Sequence, residues 1–136
     1  MKNLKKGLVA GCWDLMHPGH ILLFKECKKN CDWLVACLSV DPSIDRPNKN
    51  RPIESADERT IRLMGCKYID EVIYYYSEAE LRKIIQEVNP DIRFLGSDWK
   101  GKQYSGHDLP VPVMFIARDH NYSSSNLRKR ICDAQS

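Results

Sequence analysis

The sequence predicts an α/β fold: a single domain over residues 1–136, with one parallel sheet and helices on both faces. Three observations predict it. Short apolar, β-prone runs alternate with amphipathic helical patterns, the mark of βαβ units joined by right-handed crossovers. The second run, Trp33-Leu34-Val35-Ala36-Cys37-Leu38, is apolar almost throughout, as a strand buried on both faces must be. The polar, Gly- or Ser-containing stretches that could carry chemistry each follow a predicted strand. They therefore gather at the carboxyl edge of the sheet, where open α/β sheets bind ligands.

The first strand runs from about Gly7 to Ala10 and meets a turn at Gly11. A helix then covers about Gly19 to Lys29, with Phe24 and Cys27 on one face and Cys31 following on the same line. After the second strand comes a polar loop from Asp41 to about Ser55, rich in Pro and basic residues. At that length it is functional rather than a simple connector. Ser55-Ala56-Asp57-Glu58 is a capping box that opens the second helix, with Ile61 and Met64 on one face. Glu71 to Tyr75 is the third strand, and Ser77-Glu78-Ala79-Glu80 is a second capping box. Leu81, Ile84, Ile85 and Val88 give the third helix its apolar stripe, which Asn89-Pro90 stops. Ile92 to Leu95 and Val113 to Ile116 are the last strands, and a final helix starts near Ser123 or Ser124.

The bulk numbers narrow the class. With 43% apolar and 29% charged residues the balance is that of an ordinary globular domain. A net charge of +3 suits a small anionic substrate and lacks the concentrated basic face of a nucleic-acid binder. No apolar run approaches membrane-spanning length, and Met1 to Lys6 contain no signal-peptide core, which points to the cytoplasm. None of the six cysteines forms a C-x-x-C pair and no Cys/His set has zinc spacing, so reduced cysteines and no protein-held metal are expected.

The chemistry concentrates in Gly11-Cys12-Trp13-Asp14-Leu15-Met16-His17-Pro18-Gly19-His20. A strand, a short turn and a helix N-terminus make an anion site, because the first helical N–H groups are unpaired and the dipole favours negative charge. Gly11 and Gly19 would let a phosphate approach the backbone, and Pro18 suits the first helical turn. His17 and His20, at i and i+3, share one face. Ahead of the last helix, Arg118 offers a planar fork and Ser123, Ser124 and Ser125 offer hydroxyls; these serine positions also suit an ordinary helix cap. Trp99, after the fourth strand, suits either a nucleotide contact or a lid on the core. Arg46, Lys49 and Arg51 in the long loop, with Arg82 and Lys83, suit a dianionic phosphate or a solvated charge run.

The run from Gly11 to His20 resembles the Gly-Thr-Phe-Asp-x-x-His-x-Gly-His signature of the cytidylyltransferase-like nucleotidyltransferases. Over nearly its whole length the chain resembles the small bacterial glycerol-3-phosphate cytidylyltransferases. Gly96-Ser97-Asp98-Trp99-Lys100-Gly101 is similar to that branch's Gly-Asp-Asp-Trp-Glu-Gly, and the stretch from Arg118 to Ser125 is similar to its triphosphate-gripping motif. The resemblance implies a Rossmann-like nucleotidylyl transferase fold. It implies transfer of a cytidylyl group from CTP to a small phosphorylated acceptor, glycerol 3-phosphate, giving CDP-glycerol and pyrophosphate. His17 and His20 would be catalytic. Gly11, Cys12, Trp13, Gly19, Lys49, Asp98, Trp99, Arg118, Asp119, Tyr122, Ser123, Ser124 and Ser125 would bind nucleotide. Arg46, Arg51, Lys67, Arg82 and Lys83 would face the acceptor. Mg²⁺ carried by the nucleotide phosphates and a homodimer are further implications. The chain departs from the family at Cys12 and Asp119, where Thr is usual, and at Lys67, which replaces an arginine; Arg59 matches the arginine of the second helix. Asn50-Arg51-Pro52-Ile53 is similar instead to the loop of heptose-phosphate adenylyltransferases, so a sugar-phosphate nucleotidyltransferase using another nucleotide is the alternative. A non-catalytic nucleotide-binding module is the second.

Overall fold

The computed structural model describes residues 4–135; Met1 to Asn3 of the basic leading run, and Ser136, lie outside the described residues. Five parallel strands form one sheet in the order β3-β2-β1-β4-β5: β1 Lys6–Gly11, β2 Trp33–Ser39, β3 Glu71–Tyr75, β4 Ile92–Gly96 and β5 Val113–Ile116. The chain steps outward from β1 to β3, then crosses back to β4 on the other side of β1. The order thus reverses at β1 and β4, which opens a crevice beyond their carboxyl ends.

Four helices connect or follow the strands: α1 Pro18–Lys29, α2 Ala56–Met64, α3 Glu78–Val88 and α4 Ser124–Ala134. Two cores result. On one face α1 and α2 bury Phe24, Cys27 and Leu63 against Val9, Leu34, Ala36 and Phe94. On the other, the apolar stripe of α3, Leu81, Ile84 and Ile85, covers Leu8, Val35 and Cys37. β2 is buried from Leu34 through Ser39 because it contributes to both cores. Truncating Phe24, which is fully buried, would cost about 3–5 kcal/mol.

Two local expectations are corrected, on α2 and α3, and the packing adds further detail. Ile61 and Met64 share a face of α2, but that face points to solvent, 73% and 51% exposed; the inward face carries Leu63 and, unexpectedly, Arg59. Ser77 caps α3 by accepting from Glu80 N–H at 3.1 Å, without the reciprocal bond of a capping box, while Asp45 takes the Glu78 N–H at 2.6 Å. Of Tyr74, Tyr75 and Tyr76, only Tyr75 is core; Tyr74 bonds Thr60 and Tyr76 is exposed. The final helix has no buried residue, and Ile131 lies in the open. All six cysteines are free thiols; Cys27, Cys37 and Cys66 are buried, and burial raises the Cys37 thiol to about 12. Among the described residues no helix is long and apolar enough to cross a membrane.

Candidate active site

The loop from Cys12 to Met16 is held by a reciprocal clasp. Asp14, buried, accepts the N–H groups of Ile53 (2.8 Å) and Glu54 (2.9 Å). Glu54 in turn accepts the N–H of Leu15 at 3.0 Å and an Arg62 N–H at 2.7 Å. The exchange fixes a backbone that needs fixing, because Trp13 and Leu15 adopt φ of 49° and 50°, a region non-glycine residues rarely occupy. Arg59 completes the frame. Fully buried, it donates to the carbonyls of Cys12 (3.1 Å), Ser39 (2.6 Å), Val40 (2.7 Å) and Glu54 (3.1 Å). It thereby ties the ends of β1 and β2 to the start of α2.

The loop delivers two imidazoles to the start of α1. His17 is the N-cap: its Nδ1 accepts the Gly19 N–H at 3.0 Å. His20 Nδ1 accepts the His17 N–H at 3.3 Å, so the two side chains form a capping box made of histidines. Their rings stack at 3.9 Å between centroids. Each Nδ1 is an acceptor, so each neutral ring carries its proton on Nε2, the edge left for a ligand. Neutrality is enforced. Burial, then the charges of His17 and Arg118, lowers His20 to about 3. Burial, then Arg118 and His120, lowers His17 as well. Gly19 is required here, since a Cβ at that position would lie 2.8 Å from the rings of both His17 and His120.

These rings open on a cavity of about 730 Å³ between α1, the end of β4 and the segment joining β5 to α4. Of the residues singled out in the sequence, His17, Gly19, His20, Asp98, Arg118, Asp119, Tyr122, Ser123 and Ser124 line it. Ser123 is the N-cap of α4, accepting from Asn126 N–H at 3.0 Å, whereas the Ser124 hydroxyl bonds to none of the described residues. Asp119 is exposed at the rim. Arg118 donates to the Tyr122 carbonyl, which folds the segment back toward α1.

Other expected residues lie outside this cavity. Trp13 is 5% exposed and packs edge-on to Phe24 at 5.3 Å, a core position rather than a phosphate wall. The space on the Cβ side of Gly11 holds the Trp13 ring, 2.8 Å from where a Cβ would stand, so that glycine makes room for the indole. The Cys12 thiol faces Arg59 at 3.4 Å and is raised by burial. Arg46 pairs with Glu78 (3.1 Å) and covers the Trp99 ring at 5.5 Å, leaving Trp99 half-exposed as neither core lid nor cavity wall. Arg51 pairs with Asp41, Arg82 with Asp108, and Lys49, Lys83 and Ser125 are exposed. Lys67 lies just before β3, at the amino edge of the sheet and therefore opposite the cavity.

Two contributors were missed in the sequence. Arg128 of α4 pairs with Asp14 at 2.9 Å and so anchors the last helix to the signature loop. His120 lines the cavity opposite Gly19. The signals were there: a cation four residues after Ser124, one helical turn on, and a histidine between Arg118 and the serines.

A parallel sheet with a histidine-capped helix and a serine-capped helix converging beyond its carboxyl edge defines a domain of the nucleotidyltransferase type. The chain belongs to the cytidylyltransferase-like family, whose model matches residues 8–130. It is 33% identical over 126 residues to the bifunctional protein HldE of Campylobacter concisus, covering 92% of this chain and 26% of that protein. It is 32% identical over 122 residues to the HldE of Wolinella succinogenes, again covering 26% of it. The chain thus spans about a quarter of the length of these curated relatives. Among solved structures, a lipopolysaccharide core biosynthesis protein of Thermoplasma volcanium is similar with a TM-score of 0.70 and 30% identity, covering 89% of this chain and all of that one. Pantothenate synthetase of Thermus thermophilus, at 15% identity and TM-score 0.63, shares the fold.

Proposed function

We propose that this protein transfers a cytidylyl group from CTP to a small phosphorylated acceptor, glycerol 3-phosphate, releasing pyrophosphate. The supporting observation is the convergence on one cavity of two neutral imidazoles presenting Nε2–H, the Arg118 guanidinium and the free Ser124 hydroxyl at a helix start. The acceptor phosphate attacks the α-phosphorus in line; a new P–O bond forms as the bond to the pyrophosphate oxygen breaks. His17 and His20 donate to the oxygens on which charge builds, the type of contribution that preorganised donors make without reorganisation. Neutral rings suit that role, because they donate without surrendering a proton. Arg118 and Ser124 hold the β- and γ-phosphates. Asp14 serves the frame, since its carboxylate is occupied by two N–H groups and Arg128.

A Mg²⁺ ion fits a site of this composition when it is carried mainly by the phosphates. Glu26, Asp98 and Asp119 are the carboxylates on the cavity, and among the described residues no group of three or more His, Cys, Asp and Glu is placed to hold a metal. Mg²⁺ would supply charge neutralisation of the triphosphate.

Support for CTP comes from the similarity of Gly96 to Gly101 to the cytidylyl branch. A second reading, a sugar phosphate joined to another nucleotide, is supported by the loop Asn50 to Ile53. It is supported also by the 30% identity to a protein described as acting in lipopolysaccharide core biosynthesis. The exposed Ile61, Met64 and Tyr76 supply apolar surface for a homodimer, which sedimentation across a concentration series tests. The deciding experiment is pyrophosphate release with each of the four nucleotides against glycerol 3-phosphate and a panel of sugar phosphates. CDP-glycerol formation is the expected result; turnover only with ATP and a sugar phosphate would replace it by the second reading.

A further inference from the structure

His120 carries no role in the mechanism above, yet it stands in the same cavity as His17 and His20. Its Nδ1 accepts the backbone N–H of Tyr122 at 3.1 Å, and its ring leans on the Tyr122 ring at 5.4 Å between centroids. The ring is thereby fixed in place and in tautomer: with Nδ1 an acceptor, the proton sits on Nε2. That is the arrangement already seen at His17 and His20, reached through a different turn on a different segment. The rings of His17 and His120 meet over Gly19. The Cε1 atoms of both lie 2.8 Å from the point a Gly19 Cβ would occupy, so they stand no more than twice that distance apart. Cε1 adjoins Nε2 in each ring, and no Nε2 among the three histidines has a partner in the described residues. Three orphan donors thus border one small space, between the start of α1 and the start of α4.

We propose that His120 is a third phosphate-binding histidine, whose Nε2–H holds the phosphates of the nucleotide that leave as pyrophosphate. It sits on the segment that also carries Arg118 and Ser124, across Gly19 from the histidines assigned to the α-phosphorus. The proposal rests on the nucleotidyl-transfer reading of this cavity. It adds to that reading a donor on which the sequence motif is silent.

The bland role for His120 is to pin the Tyr122 turn through Nδ1, and two variants separate the roles. His120→Asn keeps a polar atom near the Nδ1 position and loses the distal donor; His120→Gln carries an amide out to the Nε2 position. The expected result is a nucleotide KM raised about tenfold or more in His120→Asn and His120→Ala, with a smaller change in kcat and substantial recovery in His120→Gln. A wild-type KM in His120→Asn would overturn the proposal, because a turn-pinning role alone survives that change. Histidine side-chain NMR with magnesium pyrophosphate as the probe gives a readout independent of turnover. The Nε2–H resonance of His120 is expected to shift together with those of His17 and His20, at one saturating concentration. Shifts at His17 and His20 with His120 unmoved would overturn the proposal and leave the transferase reading intact. Shifts at all three in a protein that turns over no nucleotide would do the reverse: the phosphate site would stand and the transferase reading fall.

Discussion

Ser123 and Ser124 are neighbours at the start of α4 with different surroundings, and substitution can tell their roles apart. Ser123 caps the helix through the Asn126 N–H, so Ser123→Ala is expected to lower stability by about 1 kcal/mol. Ser124 has no such bond and lines the cavity. Ser124→Ala is expected to leave the melting temperature in place and raise the nucleotide KM. A stability loss without a KM change at Ser124 would return the whole serine run to helix capping. The histidines need the same separation, because His17 is both a cap and a donor. His17→Ala and His20→Ala should each lower kcat by roughly 10²-fold, the size of losing one transition-state donor. The cap lost at His17 adds about 1 kcal/mol of destabilisation, visible as a lower melting temperature. Turnover near wild type in a folded double variant would remove both from the chemistry.

At the scale of elements the site is a junction, and Arg59 is its fastener. Its guanidinium binds the backbone at the ends of β1 and β2 and at the start of α2, on the face of α2 that a hydrophobic residue would ordinarily fill. Removing it leaves the buried carbonyls of Ser39 and Glu54 and the part-buried carbonyls of Cys12 and Val40 without this donor, and a buried one left unpaired costs about 1–3 kcal/mol. Arg59→Met is therefore expected to destabilise the fold by about 3 kcal/mol or more by urea titration, although the new side chain is more apolar. Equal stability would mean that water reaches those carbonyls and that the guanidinium does not organise the junction. Asp14 and Glu54 make the second fastening, between the signature loop and the loop before α2. This explains how Leu15 tolerates φ of 50°: its N–H is held by a carboxylate nearly forty residues away.

Across the whole molecule, what could be read in advance followed from periodicity. The parallel sheet, the α3 stripe and the gathering of loops on one edge depend only on where apolar residues recur, which the chain displays openly. Roles set by a single long-range partner were hidden. The spacing of Ile61 and Met64 marks a face without saying that Arg59 and Leu63 take the inside. Trp13 sits in a signature that resembles a phosphate loop, yet its ring finds Phe24. Lys67 follows a helix whose direction carries it to the far edge of the sheet. His120 gains its place because the segment before α4 comes back over Gly19. That return has a consequence for acid stability. Burial holds His20 at about 3 and also lowers His17, whereas in the unfolded chain both revert to about 6.5. Below that higher value the unfolded chain takes up protons that the folded chain refuses, so stability is lost as the pH falls from about 6.5 toward 3, and neither histidine contributes a pH slope above it. Each such group gives a slope of up to about 1.4 kcal/mol per pH unit. His20→Gln removes one of them while the carboxylates stay common to both proteins. Urea titrations between about pH 6 and about pH 4.5 should therefore show a shallower decline in the variant than in the wild type. Parallel declines would mean that the His20 ring protonates normally in the folded protein, and a donor with a charge of its own would have to replace the neutral one in the mechanism.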